Sequence, residues 1–314
     1  MVQSHFPNAK FAPILRSDQY IQTVIGKCES LARAGLWLAE PRIRPTAWLS
    51  NFSEEHKVAA AILLDHFVYF SSQAVDRMLM SAYRSLRDRL IRLRGAKSAS
   101  EILDTAVFTS VEGEDPSVTD SGKLFCRKLR QTLALPDNRF VEPIDALRLA
   151  SEGRTVIFLD DLLGSGQQFR KTWKRNYASA APYSFEDLDH ASAIRAYYLV
   201  LVASEDGLET LRGETPSINV VPAHILGKSS SVHSLPQNSL LPDVQDIPAA
   251  LRALVEEYHG RLRVPTYMDN VQSKKFGHGE LGLLLAFEHS TPDSTLPLLW
   301  SESSHSWTPL VRRT

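Results

Sequence analysis

The chain has 314 residues, with 35 Lys plus Arg against 36 Asp plus Glu and a hydrophobic share of 43%. That balance excludes wholesale disorder, and the length suits one large domain or two modest ones. It also excludes a global field that would draw the molecule to nucleic acid or membrane, so any polyanion site must be local. The longest apolar stretches, such as Tyr197 to Ala203 and Leu281 to Phe287, are too short to cross a bilayer. Met1-Val2-Gln3-Ser4-His5 lacks the basic start and apolar run of a signal peptide. Cys28 and Cys126 stand at no metal-ligand spacing and read as two unpaired thiols. Together these features describe a cytoplasmic globular protein.

Asp18 to about Leu38 predicts a helical segment broken at Gly26 and Gly35, and Pro41 and Pro45 mark a turn. Phe52-Ser53-Glu54-Glu55 opens a helix, with Ser53 as cap and two carboxylates in the positive first turn. It runs through Val58, Ile62, Leu63 and Phe67 to about Phe70. Ser71 or Ser72 caps a longer helix to about Arg94, in which Val75, Leu79, Ala82, Leu86, Leu90 and Leu93 make one apolar stripe. Its other faces carry Arg77, Arg84, Arg87, Arg89, Arg92 and Arg94, with Lys97 beyond, and only Asp76 and Asp88 offset them locally. Two readings stand. One is a surface for RNA, DNA or an acidic partner, the other a solvated helix whose arginines pair with acidic neighbours.

From residue 103 strands and helices alternate. Ala106 to Ser110 reads as a strand, Glu112 to Gly122 as a polar loop and Lys123 to about Leu133 as a helix. Arg139 to Val141 is a short strand candidate, and Ile144 to Ala150 a short helix. Thr155 to Leu159 suits a strand buried on both faces, and a helix follows from about Gln167 to Tyr177. Ala178 to His190 reads as a connection, Tyr197 to Ala203 and Ile218 to Ile225 as strands, and Glu205 to Leu211 as a helix between them. Serines 229 to 231 mark a loop, Pro248 to Tyr258 a helix, and Leu281 to Phe287 a late strand. The alternation predicts an α/β core over 99–228, a mostly parallel sheet with helices on both faces. An N-terminal helical region (1–98) precedes it, and a C-terminal helix and strand segment (229–314) packs on it.

The stretch from Val156 to Gln168 carries the chemistry. A buried parallel strand delivers its C-terminal end to the sheet edge where α/β proteins bind ligands. Asp160 and Asp161 at that end suit vicinal hydroxyls of a ribose, or metal-bound water. Gly164-Ser165-Gly166 then turns into a helix at Gln167-Gln168, where bare amides form a nest for a phosphate. A Walker-type loop would need Lys-Ser or Lys-Thr after the second glycine, and the dinucleotide fingerprint a third glycine; neither is present. The plain alternative is a strand-to-helix turn with an Asp cap. Upstream, Ser121-Gly122-Lys123 with Arg127 suits the leaving pyrophosphate, or is an ordinary helix start capped by Asp120 or Ser121.

The run from Ile157 to Gln168 resembles the phosphoribosyl-pyrophosphate motif of type I phosphoribosyltransferases, in which an apolar strand is followed by two acids, two apolar residues and small residues with Gly. The resemblance implies that Asp160 and Asp161 face the ribose hydroxyls and that Gly164 to Gln168 hold the 5-phosphate, with Mg²⁺ carried on the substrate. Where such loops are usually Thr-rich, this one has Gln167 and Gln168. Trp48 to Phe52, Ser121-Gly122, the Asp160-Asp161 loop and Phe287 to Trp300 are together similar to the phosphoribosyltransferase-like proteins of bacterial conflict systems. Their tail segment reads Thr-Pro-Asn-Asn-Thr-Leu-Pro, and Asp293 and Ser294 depart from it. Some members accompany retron reverse transcriptases and a winged-helix DNA-binding protein. The resemblance therefore implies an antiphage effector restrained by a nucleoprotein of reverse transcriptase with its RNA and DNA, and leaves an oligomer open. It also implies a hood-like C-terminal segment, in which His289, Thr291 or Thr295 touches ligand, or in which Trp300 and Trp307 simply fill core.

Overall fold

A computed structural model of the protein describes residues 17–113, 121–177, 182–192, 194–237, 244, 246–265, 268, 270–302 and 307–313. In chain order these hold helices α1 (Ser17–Arg33), α2 (Pro45–Leu49) and α3 (Lys57–His66), strand β1 (Val68–Phe70), and helices α4 (Ser72–Arg94) and α5 (Ala96–Thr105). Next come β2 (Val107–Ser110), α6 (Ser121–Leu133), α7 (Pro143–Ser151), β3 (Val156–Leu163), α8 (Gln167–Lys174) and α9 (Phe185–Ser192). Then follow β4 (Ala196–Ser204), α10 (Glu205–Glu214), β5 (Asn219–Leu226), α11 (Ile247–Tyr258), α12 (Val271–Phe276), β6 (Leu285–Phe287) and α13 (Pro297–Trp300). The described residues fall into two compact units, 69–228 with 285–294, and 17–68 with 229–284 and 295–313.

In the first unit β2, β3, β4 and β5 form an all-parallel sheet in that spatial order, flanked by helices as the alternation predicts. Every residue of β2 is buried, as are all but one in each of β3 and β4, because both faces are covered. On one face Phe158 meets Phe169 of α8 and Phe185 of α9 at 5.3 and 5.0 Å between ring centroids, and Phe169 stacks on Tyr198 of β4 at 4.6 Å. On the other, α6 lies against β2 and β3, and α4 against β4 and β5. Ser71 caps α4, accepting from the Ala74 N–H at 3.4 Å. Val75, Leu79, Ala82, Leu86 and Leu90 bury its stripe. Leu93 does not belong to it: at 64% exposure it stands in the last turn, past the packed stretch.

The second unit is aromatic at its centre. Phe52 meets Trp48, Tyr258 and Trp307 edge-on at 4.9, 4.9 and 5.3 Å, and Trp48 Nε1 donates to the Leu298 carbonyl at 2.7 Å. Trp300 and Trp307 are buried in this core. The helix expected from Ser53 starts instead at Lys57, since Ser53 is drawn into bonds with His56 and the Tyr258 hydroxyl. It also stops at His66, because Val68–Phe70 pairs with β6 as a two-stranded sheet.

Other expectations shift for local reasons. Gly26 does not break α1; its surroundings are open, and one helical glycine costs only about 1 kcal/mol. The connection expected from Ala178 to His190 holds α9, whose Glu186 and Asp187 favour a first turn. The helix from Gln167 ends at Lys174, and the late strand covers only Leu285–Phe287. Arg139 closes a 3-10 turn, and the short strand expected from it is reduced to one parallel bridge of Phe140 to Phe108. Met1 to His5, residues 114–120 of the polar loop with the Asp120 cap, and residues 178–181 lie outside the described residues. Among the described residues no helix is long and apolar enough to cross a membrane. Cys28 and Cys126 are free, and burial pushes each thiol up to about 12.

Candidate functional site

β3 continues to Leu163, so Asp160 and Asp161 are both strand residues, and one hydroxyl, that of Ser121, reaches both carboxyls. Asp160 faces β4, where its Oδ2 accepts from the Tyr198 hydroxyl at 3.0 Å and its Oδ1 from the Asp161 N–H at 2.9 Å. Asp161 faces α6 and the 285–294 segment, where its Oδ2 meets His289 Nε2 at 2.9 Å and the Ser290 hydroxyl at 3.2 Å. The hydroxyl of Ser121, first residue of α6, stands 3.1 Å from Oδ1 of each acid. One hydroxyl carries one proton, so both contacts are hydrogen bonds only when one carboxyl is protonated.

Both acids are turned inward, Asp160 at 2% and Asp161 at 7% exposure. Burial, then the Asp161 charge, pushes Asp160 well above the usual carboxylate range. Burial works to raise Asp161 as well, but the bond and charge of His289, together with the bonds of Ser121 and Asp160, outweigh it and hold Asp161 below that range. One fold position thus holds a reluctant acid beside a stabilised anion.

The loop after β3 is pinned from α10. Ser204, which caps α10, donates to the Gly164 carbonyl at 2.6 Å and accepts from the Gly207 N–H at 2.9 Å. Gly207 has no room for a side chain, since a Cβ there would stand 2.2 Å from the Gly164 oxygen. Gly166 takes a φ of 84°, a left-handed conformation that glycine supplies without strain, and so turns the chain into α8. Among the described residues the amides of Gly164, Ser165, Gly166 and Gln168 donate to no acceptor, and Gln167 N–H reaches Ser165 Oγ at 3.4 Å. Gly164 and Ser165 are half-buried, while Gln167 and Gln168 are exposed. Open amides at a helix N-terminus are an anion cradle.

Gly122 explains how Ser121 reaches the acids. A Cβ on it would stand 2.7 Å from the Leu159 oxygen and 2.8 Å from Ser110 Cβ, so α6 approaches the strands as closely as backbone allows. Lys123 is turned to Glu142 at 3.4 Å, and Arg127 is exposed six residues beyond Ser121, about 9 Å along the helix. Of the four residues expected on the pyrophosphate side, the structure brings Ser121 and Gly122 to the acid pair. Arg84, Arg92 and Arg94 are exposed with no ion pair among the described residues, Arg87 lies 3.5 Å from Asp88, and Arg89 donates to the Val220 carbonyl at 3.4 Å. Thr291 and Thr295 are buried, and the Thr295 carbonyl accepts from Trp300 Nε1.

Tyr198 and Ser290 were not foreseen. Tyr198 carried a usable signal: it lies two residues before Val200, the β4 neighbour of Asp160, and therefore on the same face. Ser290 carried none, being 129 residues from Asp161 in sequence. Beyond the loop, a cleft of about 450 Å³ on α8 is lined by Gln167, Arg170, Lys171, Lys174 and Arg175. Three of its four cations, Arg170, Lys174 and Arg175, already face Glu214, Glu186 and Glu112.

A family model described as PRTase-CE matches residues 45–313 of the chain. A comparison with curated proteins finds no match.

Proposed function

Because the chain belongs to the PRTase-CE family, we propose that it is a phosphoribosyltransferase-like effector acting at the anomeric carbon of a nucleotide or phosphoribosyl ligand, in a cytoplasmic antiphage system of the retron type. The observation that carries this reading is the set of open amides at Gly164, Ser165, Gly166 and Gln168, just after the Asp160–Asp161 pair. A 5-phosphate seats on those amides and on Ser165, at the positive end of α8. The sugar hydroxyls reach Asp161, the less buried of the two acids. Departure of a base or pyrophosphate leaves positive charge on the ring, which the Asp161 anion offsets. Ser121, Gly122, Lys123 and Arg127 serve the leaving phosphates; the Lys123–Glu142 pair is exposed enough to open at little cost. The described residues hold no cluster of three or more acids, histidines or cysteines fit to bind a cation of their own. Mg²⁺ would arrive on the ligand and would offset part of its pyrophosphate charge.

Cells expressing the wild type should show altered nucleotide or sugar-phosphate pools by mass spectrometry. The double substitution Asp160→Asn with Asp161→Asn should abolish that change and any toxicity. Unaltered pools in wild-type cells would sink the catalytic reading.

The inward turn of both acids favours a second reading, a nucleotide-sensing or scaffold protein without turnover that holds a reverse transcriptase–DNA complex through α4. Under it, defence survives the double substitution but falls when Arg84, Arg92 and Arg94 are replaced by Ala. The triple arginine variant should then bind DNA with a log–log salt slope shallower by about 3, one unit for each phosphate contact removed. An unchanged slope would remove α4 from consideration.

A further inference from the structure

The turn bearing His289 and Ser290 bears on how the acid pair takes a ligand, a step that rests on the proposed function. Asp161 Oδ2 receives two donors from consecutive residues, His289 Nε2 at 2.9 Å and the Ser290 hydroxyl at 3.2 Å. A carboxylate oxygen offers about two acceptor positions, so this atom is filled. Asp161 Oδ1 has one neighbour, the Ser121 hydroxyl, which it shares with Asp160 Oδ1. Asp160 is out of reach: its Oδ1 accepts from the Asp161 N–H, and its Oδ2 faces buried Tyr198.

The turn itself is firmly held. Phe287 N–H donates to the Ser290 carbonyl at 2.9 Å, Glu288 N–H donates to the Phe70 carbonyl at 2.9 Å, and Glu288 Oε2 accepts from the Ser72 N–H at 2.8 Å. The His289 ring lies between Phe287, stacked at 5.1 Å, and Phe125, edge-on at 5.2 Å. Two donors set side by side on one carboxylate oxygen repeat the pattern that the vicinal hydroxyls of a ribose would present.

We propose that His289 and Ser290 are an internal stand-in for the sugar: a ribosyl phosphate binds by exchanging its two hydroxyls for these two donors at Asp161. The exchange conserves hydrogen bonds to a buried anion, which would otherwise lose them at high cost. It needs only side-chain rotations, so the backbone of the turn stays where Glu288 and Phe287 anchor it. The ligand class is a phosphorylated sugar with adjacent hydroxyls, and its affinity is set by competition with the chain's own residues.

The test is calorimetric titration of the full chain, with Mg²⁺, against inorganic phosphate and ribose 5-phosphate. Phosphate alone reports the Gly164–Gln168 amides, and ribose 5-phosphate reports amides and Asp161 together. Removing one competing donor, in H289A or separately in S290A, should tighten ribose 5-phosphate about tenfold or more. Affinity for inorganic phosphate should stay within about twofold, since no donor to Asp161 is exchanged. H289Q, whose amide still reaches Asp161, should keep wild-type affinity for both. A residue that merely supports the fold would give the opposite sign, weaker binding on truncation. S290A loses only a hydroxyl and gives the answer if H289A fails to fold. Ribose 5-phosphate unchanged or weaker in the folded alanine variants, with phosphate binding intact, overturns the exchange and leaves the phosphate site standing. No phosphate binding by the wild type overturns both.

Discussion

Asp160→Asn should raise the melting temperature at neutral pH by about 2–6 °C, while Asp161→Asn should lower it. The two acids are chemical neighbours with opposite thermodynamic roles. Asp160 is pushed up by burial and by the Asp161 charge, so its ionisation opposes folding. A carboxyl raised in the folded state contributes most below its unfolded value, near pH 4, and that contribution is lost as pH rises through the folded value. Asn is the uncharged isostere, so the advantage of Asp160→Asn should be negligible at about pH 3 and grow upward from about pH 4. Asp161 is depressed, chiefly by the bond and charge of His289 against the pull of burial. Its contribution is present above its unfolded value and is lost as pH falls through the folded one. Asp161→Asn should therefore cost about 1–3 kcal/mol at neutral pH and progressively less in acid. Thermal melts of both variants from pH 3 to pH 8 check this; shifts of the same sign in both would contradict the split described for the pair.

Gly207→Ala should cost about 3 kcal/mol and weaken inorganic phosphate binding at least tenfold, although Gly207 touches no ligand. The added Cβ would meet the Gly164 oxygen at 2.2 Å and the Leu163 oxygen at 3.1 Å, both backbone atoms that no rotamer change can move. Either α10 retreats, breaking the Ser204 bonds to Gly164 and Gly207, or the loop after β3 shifts and its amides lose their common aim. Denaturant unfolding measures the first consequence and calorimetry the second. Wild-type affinity for phosphate in a destabilised Gly207→Ala protein would show that the loop keeps its shape without α10.

The sheet was legible because its strands are buried on both faces and so appear as unbroken apolar runs, as in Val156-Ile157-Phe158-Leu159. Helix α4 was legible for the complementary reason, a single stripe at steps of three and four. The loop at Gly164–Gly166 announced itself through small residues after a strand. The reading ended β3 at Leu159, and the strand in fact extends through both acids to Leu163. Ser53 illustrates another limit. A serine before a helix is a cap by local logic, and here the Tyr258 hydroxyl, 205 residues away, joins His56 in diverting it. Gly207 carried no local mark either, since its constraint is a carbonyl from another element.

The sheet-bearing unit recruits residues 285–294 from well beyond its last strand, and this has a consequence for biosynthesis. Leu226 ends β5, and Phe287 begins the turn that satisfies Asp161, so some sixty codons separate them. At usual elongation rates a ribosome needs about 3–12 s to cover that interval. Through it the emerging polypeptide holds Asp161 without the imidazole and hydroxyl that later seal it. Asp161 therefore meets its imidazole and hydroxyl partners only late in translation, after every strand of the four-stranded sheet has been made.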